Sequence, residues 1–149
     1  IGEACHLFDV CIFITGSLIH SVCMNGLGNE TSLDNDNASI LLKFKNGSNG
    51  VINYFSNGSK KYSKERIEVY SEQKTWVVDN FSRTQAFGIS NFKTIRTSID
   101  KGHKNQFKKL LDGNRNGGNY LIPIEEIFNA TKATFAAIKS YKINQWVIV

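Results

Sequence analysis

The spacing of apolar residues along the chain is helical at first, then alternating, then helical again. From Glu3 to Thr15 there is no helix breaker, the positions from Leu7 onward are nearly all apolar, and Gly16 follows, so a buried helix closed by a glycine is expected. Ser17 to Leu27, with Ile19, Val22, Cys23 and Met24, reads as a strand, and Gly28 to Asn37 reads as a polar loop. Ala38 to Lys45 alternates, with Ile40, Leu42 and Phe44 on one face and Leu41, Lys43 and Lys45 on the other. The link Asn46-Gly-Ser-Asn-Gly50 leads into Val51–Ser56, and Asn-Gly between alternating runs is the strongest short hairpin signal.

Arg66–Tyr70 and Thr75–Asp79 repeat this hairpin pattern around Ser71-Glu-Gln-Lys74, and Ile89–Thr97, with Phe92 and Ile95, predicts a further strand. Two amphipathic helices then follow. Lys101 to about Arg115 is capped by Asp100, ends at Gly117-Gly118 and carries Phe107, Leu110 and Leu111 on one stripe. Pro123 to Tyr141 starts with proline at a first helical position and repeats Ile127, Thr131, Thr134 or Phe135, Ile138 and Tyr141 at helical spacing, a stripe suited to lying on a sheet. A helix, a run of antiparallel strands and then helices predict an α+β layer of sheet and helices.

Composition narrows the class. The 149 residues are 41% hydrophobic and 21% charged with one proline, which excludes a disordered tail and fits one domain over 1–149. The longest apolar run, Leu7 to Ile14, is broken by Asp9 and falls far short of a membrane span of roughly 20 residues. No basic leader precedes it, so a cytoplasmic protein is expected, and a start at Ile-Gly-Glu reads as a piece of a longer chain. Three cysteines without a Cys-x-x-Cys pair suggest reduced thiols, with neither a disulfide framework nor a thiolate zinc site. Asn-x-Ser/Thr sequons are expected by chance in so Asn-rich a chain. The net charge of +5 includes a basic run, Lys60-Lys61, Lys64 and Arg66 with Tyr62 inside it, but no nucleic-acid motif accompanies it and the other charges are spread along the chain.

No G-x-G-x-x-G, Walker sequence or G-x-S-x-G elbow is present. Unusual side chains gather instead in the first helix. Glu3 and His6 lie one turn apart near the positive end of the helix dipole, an arrangement suited to an acid/base pair acting on a hydroxyl. The competing reading makes Glu3 a first-turn carboxylate and His6 a core or interface histidine. Cys5, His6 and Asp9 make no metal site, since neighbouring side chains diverge on a helix and a fourth ligand is missing. Tyr54, Asn57, Lys60 and Lys64 cluster at and beyond a strand end, where their hydroxyl, amide and ammonium groups can hold a polar or anionic ligand, or form a solvated loop. Lys101 and His103 open a helix at its amide end, either an anion site or a plain capping turn.

The stretch Gly2-Glu-Ala-Cys-His6-Leu-Phe-Asp9, closing at Thr15-Gly16, resembles the histidine-bearing helix of the glucose-fructose oxidoreductase/inositol dehydrogenase (Gfo/Idh/MocA) family. Phe44 to Phe55, Lys64 to Tyr70, Lys101 to Phe107, Arg115 to Gly118 and the Pro123 helix look like successive landmarks of that family's C-terminal domain. The resemblance implies an open, mainly antiparallel sheet with helices on one face, on the substrate side of an NAD- or NADP-dependent sugar dehydrogenase. It places the dinucleotide and a catalytic lysine on an N-terminal Rossmann domain that nothing in Ile1–Val149 matches, so the fragment alone is expected to be inactive. It casts His6 as the acid/base or substrate-orienting residue. Many members carry Asp at the position of Gly2, and Glu3 is the candidate to replace it. The Gly-Glu-x-Cys-His form looks most like a subgroup from surface-polysaccharide pathways, which points to a nucleotide sugar. The alternative is a non-catalytic ligand-binding or dimerisation module, and under either reading the uncovered sheet face is expected to join copies into a homo-oligomer.

Overall fold

The computed structural model describes residues 4–28, 35–100, 102–115 and 121–149. In chain order the elements are α1 (Cys5–Thr15), β1 (Ile19–Gly26), β2 (Asn37–Phe44), β3 (Asn49–Phe55), β4 (Arg66–Ser71), β5 (Lys74–Asp79), β6 (Arg83–Phe87), β7 (Ile95–Arg96), α2 (His103–Arg115), α3 (Ile124–Ile143) and β8 (Val147–Ile148). They form two compact units, Ile1–Asn57 with Asn119–Val149, and Gly58–Gly118. The fold class is α+β, with all described strand pairs antiparallel.

The first unit holds a four-stranded sheet in the order β3-β2-β1-β8, with α1 and α3 on one face. Ile40, Leu42, Ile52, Val22 and Met24 point inward and meet Phe8 and Ile12 of α1 and Ala130, Ala133, Ala136 and Ala137 of α3. The buried stripe of α3 is therefore the alanine face. Ile127 and Phe135, expected to face the sheet, are exposed, because small side chains let the helix axis approach the strands more closely than Ile and Phe would. In α1 the packed stripe is narrower than its all-round hydrophobicity suggests, and Phe13 and Ile14 face outward.

Polar side chains fix α3 along β1. Asn129, buried, accepts from the Ile19 N–H (2.7 Å) and donates to the Ile19 carbonyl (3.0 Å). One strand length further on, the Ser140 hydroxyl oxygen accepts from the Met24 N–H (3.0 Å) and its proton goes to the Gln145 carbonyl (2.6 Å). β8 pairs only with Ser21 and Val22, so these side chains take up the backbone groups that a longer neighbouring strand would have satisfied. At the β2–β3 turn Asn46 donates from Nδ2 to the Thr15 carbonyl (3.1 Å) and from its N–H to Ser17 Oγ (3.2 Å). That pins the carboxyl end of α1, where Gly16 adopts the left-handed conformation (φ 59°) that closes a helix at little cost.

The second unit is a meander in the order β4-β5-β6-β7. Two expectations change here. The strand predicted over Ile89–Thr97 is reduced to Ile95–Arg96, and the pairing partner of β5 is Arg83–Phe87, whose Arg-Thr-Gln-Ala-Phe pattern carries little hydrophobic alternation. α2 starts at His103, and Asp100 caps the turn before it by accepting from the Gly102 N–H (2.8 Å). Phe107, Leu110 and Leu111 of α2 are exposed rather than packed. Lys101 and Gly117-Gly118 lie outside the described residues.

Candidate functional site at one end of the first sheet

α1 connects to β1 through only three residues and its last turn is pinned to the β2–β3 hairpin by Asn46. α3 runs along β1, from Asn129 at Ile19 to Ser140 at Met24, and α1 packs beside it. α1 thus runs back over the sheet, and its amino end, with His6 exposed in the first turn, lies toward the end where β1 finishes, β2 starts and β3 finishes. Tyr54 stands at that same end. It pairs with Ala38 and shares the helix-covered face with Ile52, so it is the last inward-facing side chain of β3, half-buried.

An amide network builds the floor of this end. Asn35 Nδ2 donates to the Leu27 carbonyl (2.6 Å) and to the Tyr141 hydroxyl (3.3 Å), and Asn35 Oδ1 accepts from the Asn37 N–H (3.0 Å). Asn37 in turn donates to Asp36 Oδ1 (2.8 Å) and Ser56 Oγ (3.4 Å), and its Oδ1 accepts the Asn57 N–H (3.1 Å). Gly26 completes the floor: a Cβ there would lie 2.6 Å from Tyr141 Cζ and 2.7 Å from its hydroxyl. Asn35, Asn37 and Tyr141 were not legible as site-building residues. The one available signal was Asn37 at the head of an alternating strand, a position that buries a polar side chain only when it is fully bonded.

Among the candidates, His6, Tyr54 and Asn57 belong to the first unit, whereas Lys60 and Lys64, both exposed, belong to the second. Glu3 lies outside the described residues. Burial pushes the Cys11 thiol up to about 11, which makes it a packing group rather than a nucleophile. A cavity of about 400 Å³ lined by Leu18, Lys45, Phe128, Asn129 and Lys132 sits at the opposite end of the sheet, away from His6. Among the described residues no three His, Cys, Asp or Glu side chains gather around a common point, and no helix is long and apolar enough to cross a membrane.

Residues 3–77 match the model of the GFO/IDH/MocA C-terminal domain. The chain belongs to this family. Solved structures share its fold across almost its whole length. An oxidoreductase from Agrobacterium radiobacter in complex with NAD+, L-tartaric acid and magnesium superposes with a TM-score of 0.80 at 17% identity, covering 97% of this chain and 47% of that one. Levoglucosan dehydrogenase in complex with NADH and levoglucosan gives 0.80 at 16%, covering 98% and 48%. A putative NADPH-dependent oxidoreductase from Desulfitobacterium hafniense DCB-2 gives 0.77 at 17%, covering 97% and 46%. The chain therefore spans just under half the length of each. No curated protein sequence matches it significantly.

The described residues of this GFO/IDH/MocA domain do not fit a dinucleotide cradle. Every described strand pair is antiparallel, so there is no parallel βαβ unit with a glycine-rich turn to receive a pyrophosphate.

Proposed function

We propose that this chain is the substrate-side C-terminal domain of an NAD- or NADP-dependent oxidoreductase acting on a sugar hydroxyl, with the dinucleotide held by an N-terminal Rossmann domain outside the 149 residues. What supports the reading is the family match together with the chain path, in which the α1 amino end, bearing His6, and the inward-facing Tyr54 both lie toward the end of the sheet where β3 finishes. His6 takes the proton from the hydroxyl during oxidation and returns it on reduction. Tyr54 and Asn57 orient sugar hydroxyls. Levoglucosan is a sugar derivative bound by one structural neighbour, which supports a carbohydrate substrate. We extend this to a nucleotide sugar of surface-polysaccharide metabolism, a cytoplasmic setting, Glu3 as the partner of His6, and a fragment that is silent on its own. The test is an assay of the full-length enzyme on free and nucleotide sugars with NAD+ and NADP+. Dinucleotide reduction on a sugar supports the proposal, and none on any of them counts against it.

A second reading, compatible with the first, is assembly. The sheet face away from the helices exposes Leu41, Val51, Phe55 and Ile148, with Leu41 directly between Cys23 and Val51 in the strand register. Lys43 lies over the Trp146 ring at 4.8 Å on this side. An apolar face of this kind suits a homo-oligomer contact. Light scattering that gives a monomer at high concentration contradicts it.

A further inference from the structure

The polar face of the second sheet carries a feature that the proposed chemistry does not use. Arg66 pairs with Asp79, Asp79 with Arg83, and Arg83 with Arg96, so one cross-strand row over β4 to β7 holds three guanidiniums and a single carboxylate. Directly opposite residues project from the same face with Cβ atoms about 5 Å apart, and like charges in that relation repel. Arg66 is compensated: its Nε donates to Glu68 Oε1 (2.8 Å) and its terminal nitrogen lies 2.6 Å from the same oxygen. Arg83 and Arg96 are not. Among the described residues neither has a carboxylate within ion-pair distance, although Asp79 stands beside Arg83 in the row. Arg83 Nε is buried with no hydrogen-bond partner among the described residues. A buried guanidinium donor without an acceptor, beside a second uncompensated arginine, is a costly arrangement unless an anion accepts from both.

We infer that the Arg83–Arg96 pair is a binding site for a phosphoryl dianion. The guanidinium forks suit tetrahedral phosphoryl oxygens, which accept from two arginines at once. Arg66, two strands from Arg83 and so about 10 Å away, is too distant to share a single phosphoryl group with it and stays with Glu68. Asp79 limits the affinity by its negative charge.

The experiment is calorimetric titration of the 149-residue chain with inorganic pyrophosphate and, separately, inorganic phosphate at low ionic strength. Saturable one-to-one binding is expected. Arg83→Gln and Arg96→Gln each weaken it about tenfold, whereas Asp79→Asn tightens it about threefold. In nitrogen-resolved NMR the Arg83 Nε–H signal shifts on addition of the anion. Similar affinity for both anions identifies a single phosphoryl group as the ligand, and tighter pyrophosphate identifies a diphosphate. Lys108→Gln/Lys109→Gln on α2, a larger loss of positive charge outside the row, leaves binding unchanged. Absence of saturation, binding indifferent to both arginine variants, or an equal loss in the α2 variant overturns the inference.

Discussion

Asn129 is the residue on which the junction of α3 and β1 depends, and Asn129→Ala is the perturbation that measures it. The side chain satisfies both the N–H and the carbonyl of Ile19, and Ile19 itself is fully buried. Truncation leaves a buried donor and a buried acceptor together, each costing about 1–3 kcal/mol, so a loss of about 3 kcal/mol is expected once some water reaches the gap. With a urea m-value of about 2 kcal/mol per molar, the midpoint falls by about 1.5 M. Trp76 lies in the second unit and Trp146 in the first, so a Trp76→Phe background lets fluorescence of Trp146 report the first unit alone. Ser140→Ala, which removes the partner of the Met24 N–H, adds independently, because Ile19 and Met24 are about 16 Å apart along an extended strand. A midpoint shift below about 0.3 M for Asn129→Ala would refute the claim that α3 replaces a missing strand neighbour.

Further predictions concern packing and titration. Gly26→Ala forces a methyl into the buried Tyr141 ring and lowers stability by about 1–3 kcal/mol in the same urea assay, whereas an unchanged midpoint would mean the ring can yield. Exposed Cys5 is alkylated at pH 8 in the native protein, while Cys11, its thiol raised to about 11 by burial, reacts only after unfolding, as mass spectrometry of the labelled peptides will show. Glu68 is held below the usual carboxylate range, first by the Tyr70 hydroxyl and then by Arg66. Tyr70→Phe should therefore move its NMR titration upward toward the ordinary value, and stability linked to Glu68, present above that range and lost as the pH falls through the folded value, should shrink.

Local pattern decides most of the fold. Gly16, the Asn46-Gly47 turn and the alternation of Ile40, Leu42 and Phe44 each specify their element through backbone conformation or period, and the observed α1, β2 and β3 follow them closely. The misreadings have a shared cause. Which stripe of α3 faces the sheet depends on how near the strands it sits, and closeness selects alanines over the Ile127 and Phe135 periodicity. β6 was invisible because Arg83-Thr-Gln-Ala-Phe87 owes its strand form to pairing with β5 rather than to its own hydrophobic pattern. In the candidate site His6 and Tyr54 were legible as residue types at suggestive places. The supports, Asn35, Asn37 and Tyr141, were not, since a buried amide network is a matter of tertiary distance.

The central claim is that His6, at the amino end of α1, moves the proton of the reacting hydroxyl. Its most direct test is steady-state turnover of the full-length enzyme with His6→Ala, using the sugar it oxidises and its preferred dinucleotide. The account predicts that kcat falls by about 10²–10⁴-fold with dinucleotide binding intact. Wild-type turnover would contradict it.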